Sequence, residues 1–275
     1  MRRLLLILYP DLRLSTLKVI SLIRDEAIKF SYLLLDLPVE LEGLINKFAA
    51  GEISYEELLD EILEERLMPE TQGSWEYTFK PLMMALPSII RASKGLAIRC
   101  YASREGQHAR MEETLRLVQL TLRTALRQVV EVDEWRDALN RSIALERELI
   151  KEEARVIGEL SALGDSICLA DMGGRALKPY LAGRGVDIRI HYAEGSFHFA
   201  PMAIRKRKMA LGCVGEEELE RLVRCHIEYI RDYIYRFENR DRAYYEWVYD
   251  KIPWLRRRMK REELEILSRI VEHPY

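Results

Sequence analysis

The chain has 275 residues, 48% of them hydrophobic and 32% charged, and a formal net charge of −2. This composition is typical of a globular protein with a sizeable core, and it argues against a disordered chain and against nucleic-acid binding by overall charge. No apolar run approaches the roughly 20 residues of a membrane-spanning helix, so we expect a soluble, cytoplasmic protein. Scarce Asn and Gln beside abundant Glu and Arg are typical of a thermophilic source.

Five apolar runs predict the strands of a core sheet. The first follows two arginines and resembles a signal peptide, but it is too short, and Tyr9, Pro10 and Asp11 follow it instead of small residues. We therefore interpret it as a buried strand. The predicted strands are Leu4–Leu8, Tyr32–Leu37, Leu96–Tyr101, Ile167–Ala170 and Val186–His191.

Segments with helical periodicity separate these strands. Ser15 is a predicted N-cap, and Ser54 with Glu57 forms a capping-box pattern. The longest segment is expected to break near Val132–Asp133 into two antiparallel helices, because a single helix of that length is unusual in a compact domain. The predicted helical segments are Ser15–Lys29, Val39–Ala50, Ser54–Glu65, Phe79–Ala92, His108–Leu163, Glu216–Phe237, Asp241–Asp250 and Glu262–Glu272.

Strands that alternate with helices predict an α/β fold, with a mostly parallel sheet and helices on both faces. We expect residues 1–202 to form this α/β core, with a long helical insertion at about 108–163. Residues 203–275 are rich in Tyr and Arg and predict a helical C-terminal appendage.

Polar side chains follow every predicted strand. The carboxyl ends of parallel strands share one edge of a sheet, and α/β proteins bind ligands beyond that edge, so we expect a ligand crevice there. The alternative is that these residues are polar only because loops are. The candidate catalytic residues are Asp36, His108, Asp171 and Glu194. The candidate ligand-binding residues are Asp11, Arg13, Arg104, Glu105, Gly173, Gly174, Arg175, His191 and His198.

Several of these residues allow a second interpretation. His191, Glu194 and His198 are metal-ligand types without a standard spacing, so no cofactor is firmly predicted and a divalent metal remains an alternative. Asp36 either faces a ligand or caps the helix that follows it. The pair Gly173–Gly174 either presents backbone amides to an anion or forms an ordinary turn.

Familiar catalytic and nucleotide-binding motifs are missing. The sequence has no G-x-G-x-x-G fingerprint, no Walker motif and no G-x-S-x-G elbow. The cysteines lack the spacing of metal ligands, which predicts free thiols. They are Cys100, Cys168, Cys213 and Cys225.

The C-terminal region indicates a different kind of surface, because basic clusters alternate there with Tyr and Trp. Arginines that hold phosphates and aromatics that stack on bases are typical of single-stranded nucleic-acid binding. The other interpretation, which the pattern favours, is that the aromatics pack into a core and the charges are solvated or paired. The basic residues are Arg205, Lys206, Arg207, Lys208, Arg256, Arg257 and Arg258.

The order of elements over residues 1–200 resembles the superfamily that groups erythromycin esterases, ChaN-like haem-binding proteins, and the TraB/PrgY and Tiki proteins. The resemblance is carried by Tyr32–Pro38, Gly51–Leu59 and Ile167–Ile190. Asp36 stands where the family places an acid, whereas YPDL at 9–12 and DMGG at 171–174 replace its histidine motifs. The resemblance implies a diverged member whose metal-dependent or esterase chemistry is lost, or rebuilt around His108, His191 or His198.

These patterns support two hypotheses of function. The first is a hydrolase for an anionic or ester-type substrate, with a carboxylate or histidine as general base and an arginine that holds the anionic group. The alternative is a non-enzymatic module that binds nucleic acid or a protein through the C-terminal helices.

Overall fold

The computed structural model describes residues 2–69, 72–195, 198–212, 214–237 and 239–256, and their side chains except at 72–75 and 256. Five strands form one sheet in the order β3-β2-β4-β1-β5, and every pairing is parallel. The predicted α/β class is therefore confirmed. The strands are β1 (Arg2–Leu8), β2 (Tyr32–Pro38), β3 (Ala97–Ala102), β4 (Ser166–Ala170) and β5 (Val186–Tyr192).

Helices make up most of the remaining chain. The predicted break in the longest helical segment is confirmed, because one helix ends at Arg127 and the next begins at Val132. The helices are α1 (Arg13–Glu26), α2 (Glu42–Ala50), α3 (Tyr55–Glu64), α4 (Gln72–Ala92), α5 (Arg104–Arg127), α6 (Val132–Leu163), α7 (Leu177–Leu181), α8 (Pro201–Ala210), α9 (Glu216–Tyr229), α10 (Arg240–Lys251) and α11 (Pro253–Arg256).

Local signals predicted some helix boundaries and missed others. The capping box is present at α3, where the amide of Glu57 donates to Ser54 Oγ over 3.1 Å and the Ser54 amide donates back to Glu57 Oε2 over 2.7 Å. The N-cap prediction at Ser15 is wrong: α1 already begins at Arg13, and Ser15 is buried within its first turn. The helix α8 was not predicted, and Glu262–Glu272 lies outside the described residues.

The chain divides into two compact units, and the division falls within α5 and α6. Unit 1 comprises Met1–Met111 and Leu145–Ser196, and unit 2 comprises Glu112–Ala144 and Phe197–Tyr275. The expected helical insertion thus contributes residues to both units. Within the described part of the chain, no helix is both long and apolar enough to cross a membrane.

Unit 1 has an apolar core on each face of its sheet. Side chains alternate along the strands, so that Leu33 and Leu35 join the core with α1 to α4 while Leu34 joins the opposite one. The C-terminal part of α6 covers this second face with Ile150 and Ile157. The connection from β3 to β4 therefore passes over the face that α1 to α4 leave open, which brings α5 and α6 to the carboxyl edge of the sheet.

The described residues of unit 2 are mainly helical, and their core is built around aromatic side chains. Trp135 of α6 is fully buried among Leu117 and Leu120 of α5 and Leu219 and Val223 of α9. A second aromatic group connects α9, the π-helical turn Ile230–Ile234 and α10. Its rings pack edge to face or stacked with centroids 5.3–6.3 Å apart, and they belong to Tyr229, Tyr233 and Trp247.

Candidate functional site

A polar cavity of about 100 Å³ lies in unit 1 at the carboxyl ends of β2, β3 and β4. Two candidate catalytic residues predicted from sequence, Asp36 and Asp171, line it together with the glycine pair Gly173–Gly174. The remaining lining residues are Tyr101, Gln107, Arg110, Glu146, Ile150, Glu153, Ala170 and Leu177. The cavity lies where sheet topology predicted a crevice.

Arg110 of α5 is the central cation of this cavity. Its Nη2 lies 2.6 Å from Glu153 Oε1, and its Nε donates to Glu146 Oε2 over 3.3 Å. Its Nη1 lies 3.9 Å from Asp36 Oδ1, which also accepts a 3.1 Å hydrogen bond from Gln107 Nε2. We call Asp36, Glu146, Glu153, Asp171 and Arg110 the acidic cluster. It holds four carboxyl groups and one guanidinium.

Each member of the acidic cluster is held by a local feature of its element. Asp36 lies where the pairing of β2 with β3 shifts register between Leu35 and Pro38, an irregularity of the kind that redirects side chains at sheet edges. Glu146 and Glu153 are seven residues apart on α6 and so lie on one helical face.

Asp171 and the glycine pair form a tight turn. Asp171 Oδ1 accepts the Gly174 amide over 3.1 Å and so caps the short helix Met172–Ala176. A Cβ on Gly174 would lie 2.4 Å from that of Ala170 and 3.1 Å from Leu8 Cδ2, so only glycine fits. The glycine pair is therefore a required turn at the cavity wall, whose Gly174 amide is already bonded to Asp171.

Burial and mutual repulsion raise the pKa of every cluster carboxyl for which a shift is resolved. Burial raises the pKa of Asp36 to about 6, with Arg110 opposing the rise and Asp171 adding to it. Burial, followed by the charge of Asp36, raises the pKa of Glu153. Burial, followed by the charge of Glu146, raises the pKa of Asp171. The acidic cluster therefore holds groups that can keep or release a proton close to neutral pH.

Arg110 remains charged in this setting. Burial alone would lower its pKa, but the charges of Asp36, Glu153 and Glu146 outweigh burial and raise it. The neighbouring phenol of Tyr9 shows the same negative field, because burial and then the charges of Asp36, Asp11 and Asp171 raise its pKa. The cavity is therefore a site of excess negative charge in which the one guanidinium is occupied by carboxylates.

The other residues predicted for the crevice are not among the described residues that line the cavity. Glu194 pairs with Lys18 over 2.6 Å, and His108 Nε2 lies 3.2 Å from the carbonyl oxygen of Arg66. Arg13 lies over the ring of Tyr77, 5.8 Å from its centroid. The others fall as follows: Asp11 is exposed, Arg104 and Glu105 begin α5, Arg175 lies in the short helix, His191 is exposed on the edge strand β5, and His198 stacks on Tyr244 in unit 2.

The residues that the helices supply to the cavity were not predicted from the sequence. Arg110, Glu146 and Glu153 lie within 108–163, which was interpreted only as a helical insertion, and Gln107 directly precedes that segment. One signal was present: Glu153 falls between Ile150 and Ile157, so it shares the apolar face of α6 and is 7% exposed. A charged residue on an apolar stripe needs a buried partner.

The basic residues of the C-terminal region are not one continuous surface. Arg205 is fully buried, which rules it out as a nucleic-acid contact, and Lys208 is paired with Glu218. Lys206 is half-buried and Arg207 is exposed. The side chain of Arg256, and Arg257 and Arg258 entirely, lie outside what the structure describes.

The aromatic residues of this region are mostly interior. Tyr229, Tyr233, Tyr244 and Trp247 are buried in unit 2, whereas Tyr235 and Trp254 are exposed. The interpretation that these rings build a core is the one that the described residues support.

Metal and thiol chemistry find little support in the described part of the chain. No group of three or more His, Cys, Asp or Glu there is arranged to hold a metal ion. Cys100, Cys168 and Cys225 are free thiols, and Cys213 lies outside the described residues.

Comparison of the chain with protein families, curated proteins and solved structures found no match. The resemblance to the erythromycin esterase superfamily therefore stays a prediction, and the geometry of the acidic cluster carries the functional argument.

Proposed function

We propose that unit 1 is a hydrolase domain whose acidic cluster binds the cationic end of a small ester-type substrate and supplies the general base. The observation that carries this proposal is a small cavity lined by four carboxyl groups and one guanidinium, which pairs with three of them. Clefts that combine convergent polar groups with shifted pKa values are typical of catalytic sites.

The charge balance selects the substrate class. Arg110 already contacts Asp36, Glu146 and Glu153, so an anionic substrate would have to displace a carboxylate to reach it. A protonated amine would instead be attracted by the surplus carboxylates. A cavity of about 100 Å³ accommodates such a head group with one or two waters, since a water occupies roughly 30 Å³.

Asp36 is the best-placed general base. Its pKa of about 6 leaves it mainly ionised at neutral pH while making it a stronger base than an ordinary aspartate. Its side chain is 29% exposed, so a water molecule can reach it. The hydrogen bond from Gln107 and the charge of Arg110 hold it in place, and the more basic Glu153 can return a proton to the leaving group.

Three small methyl esters test this proposal: glycine methyl ester carries a positive charge, methyl acetate none and monomethyl malonate a negative one. Acid release followed in a pH-stat at pH 6.5, where the amine of glycine methyl ester is protonated and Asp36 is mainly ionised, should give kcat/KM values in that descending order. Asp36→Asn should lower kcat/KM for the cationic ester by about 10²- to 10⁴-fold, the usual contribution of a general base. Asp171→Asn should also lower it, because Asn keeps the capping oxygen but removes the charge.

The matched control is Asp187→Asn, since Asp187 is the second residue of β5, near the amino end of that strand, and does not line the cavity. This variant should keep the wild-type rate. Absence of hydrolysis of all three esters by the wild type, preference for the anionic ester, or full activity of Asp36→Asn would each refute the proposal.

A further inference from the structure

The guanidinium of Arg205 in unit 2 is enclosed without an acceptor. Arg205 is a residue of α8 with 0% of its surface exposed. Its Nε, Nη1 and Nη2 are buried, and none has a hydrogen-bond partner among the residues that the structure describes. Guanidinium groups carry five N–H donors and buried ones are normally paired with carboxylates or phosphates, so this arrangement calls for a missing acceptor.

The guanidinium of Arg205 lies against the face of an aromatic ring but has no carboxylate partner in the described part of the chain. Its Cζ lies 4.6 Å from the centroid of the Trp135 ring, which is a cation–π contact. The indole is fixed in turn, because its Nε1 donates to Thr124 Oγ1 over 3.0 Å. No carboxylate of the described residues forms an ion pair with Arg205; Cys225 is the titratable side chain near enough to favour its charged form, and the core around Trp135 is otherwise hydrophobic.

A second orphan polar atom lies against the same indole. The ring of His226 packs edge to face on Trp135 with centroids 6.4 Å apart, and its buried Nδ1 has no partner in the described structure. Burial, followed by the charge of Arg205, lowers the pKa of His226 to about 3, so the imidazole is neutral and its Nδ1 can carry a proton to donate. Arg205 and His226 thus leave their donors unused around one aromatic side chain.

Arg205 does not avoid this unpaired buried charge by losing its proton. Burial lowers its pKa to about 9, which still leaves it charged at neutral pH. A buried charge without a partner is strongly destabilising. An oxyanion would neutralise it and accept its hydrogen bonds at the same time.

We propose that unit 2 holds a small oxyanion of the phosphate type beside Trp135, bound by the guanidinium of Arg205 and by Nδ1 of His226. Phosphate suits the site because it has four oxygens, whereas a carboxylate has two. It therefore offers more acceptor positions to the five N–H donors of the guanidinium and the one of the imidazole. Because Arg205 is fully buried, the surrounding side chains must move apart to admit an ion, and a small free ion requires less displacement than a phosphate group on a larger molecule. This site is separate from the acidic cluster and independent of the function proposed for it.

Thermal unfolding of the full chain in phosphate and in chloride, at equal pH and ionic strength, tests the inference. Saturating inorganic phosphate should raise the Tm of the wild type by at least about 3 °C, since a ligand that binds only the folded state stabilises it. Phenyl phosphate should give less than half of this shift, because its ring cannot enter an enclosed site.

Two substitutions on one helix separate specific binding from a general salt effect. Arg205→Met keeps the aliphatic length and removes the charge, so it should melt higher than the wild type in chloride and show no phosphate-specific shift. Arg207→Met removes an exposed guanidinium from α8 and should keep the wild-type shift. Arg205→Lys keeps the charge without the fork and should retain a smaller shift.

Three results would overturn the inference: a wild-type Tm that is the same in phosphate and chloride, an equal shift in Arg205→Met, or a shift with phenyl phosphate alone.

Discussion

Arg110 of α5 is the residue on which the candidate site depends, because it is the cation that pairs with the carboxyl groups of strand β2 and helix α6. Its side chain is 20% exposed and contacts Asp36, Glu146 and Glu153. Removing the shared partner of a buried ion cluster leaves uncompensated charge, which costs more than the ion pairs themselves contribute. The guanidinium therefore offsets the repulsion of a site whose composition would otherwise oppose folding.

Replacement of Arg110 by Met should consequently destabilise the protein in a pH-dependent way. We expect the free energy of unfolding to fall by about 3–5 kcal/mol at pH 8, as for other broken buried pairs. The loss should be smaller at pH 5, where the raised pKa values let the carboxyls bind protons. Urea unfolding at both pH values measures the difference.

Arg99→Met is the matched control for this measurement. Arg99 pairs with Glu42 over 2.6 Å but is 40% exposed, so its loss should cost no more than about 1 kcal/mol. An equal effect of Arg110→Met at pH 5 and pH 8 would contradict the role given to the cluster.

At the scale of elements, the turn between β4 and the short helix Met172–Ala176 sets one wall of the cavity. The sequence pattern predicted a turn or an anion site here, and the structure shows a turn closed by its own aspartate. The backbone of Gly174 passes so close to β4 that a side chain has no room. The position of Asp171 in the cavity therefore depends on glycine three residues later.

Gly174→Ala should shift this turn and lower stability by about 1–3 kcal/mol, the usual cost of overpacking. The control is Gly43→Ala in α2, where a Cβ would meet nothing within 4 Å. That change should instead stabilise the protein by about 0.5–1 kcal/mol, because alanine favours the helix. Chemical denaturation of both variants gives the comparison, and a Gly174→Ala protein as stable as the wild type would show that the turn can open without cost.

At the scale of the whole molecule, the features predicted from sequence are those encoded locally. Apolar runs predicted the strands. The positions of Asp36 and Asp171 at the carboxyl ends of two of these strands predicted that both line the crevice. The acidic cluster also needs Arg110 and Glu146, which lie on long, charged helices where many residues have the same character. Which of them turn inward depends on how α5 and α6 pack at the sheet edge, and periodicity alone does not determine that. The burial of Arg205 was not predicted for the same reason. Its neighbours in the sequence are basic, which favoured an exposed basic cluster.

The same cluster should leave a signature in the pH dependence of the stability of the whole protein. The pKa of Asp36 is about 6 in the folded state and about 3.9 in an unfolded chain, so the folded state binds more protons between these values. The contribution of Asp36 to the free energy of unfolding therefore falls as the pH rises from about 4 to about 6, and it stays low above that range. The ionised carboxylate of Asp36 therefore lowers the stability of the protein at neutral pH, a cost that is common for residues of catalytic sites.

Asp36→Asn isolates this contribution, because Asn can still accept the hydrogen bond from Gln107 but does not ionise. The variant should match the wild type in stability near pH 4 and exceed it by about 1–2 kcal/mol at pH 8, less than the full shift implies because the side chain is 29% exposed. Urea unfolding of both proteins at pH 4, 5, 6, 7 and 8 measures the difference. Combined with lost hydrolysis of glycine methyl ester, a more stable Asp36→Asn protein would identify Asp36 as a residue kept for chemistry. A variant less stable than the wild type at pH 8 would instead show that the ionised carboxylate is a structural partner of Arg110.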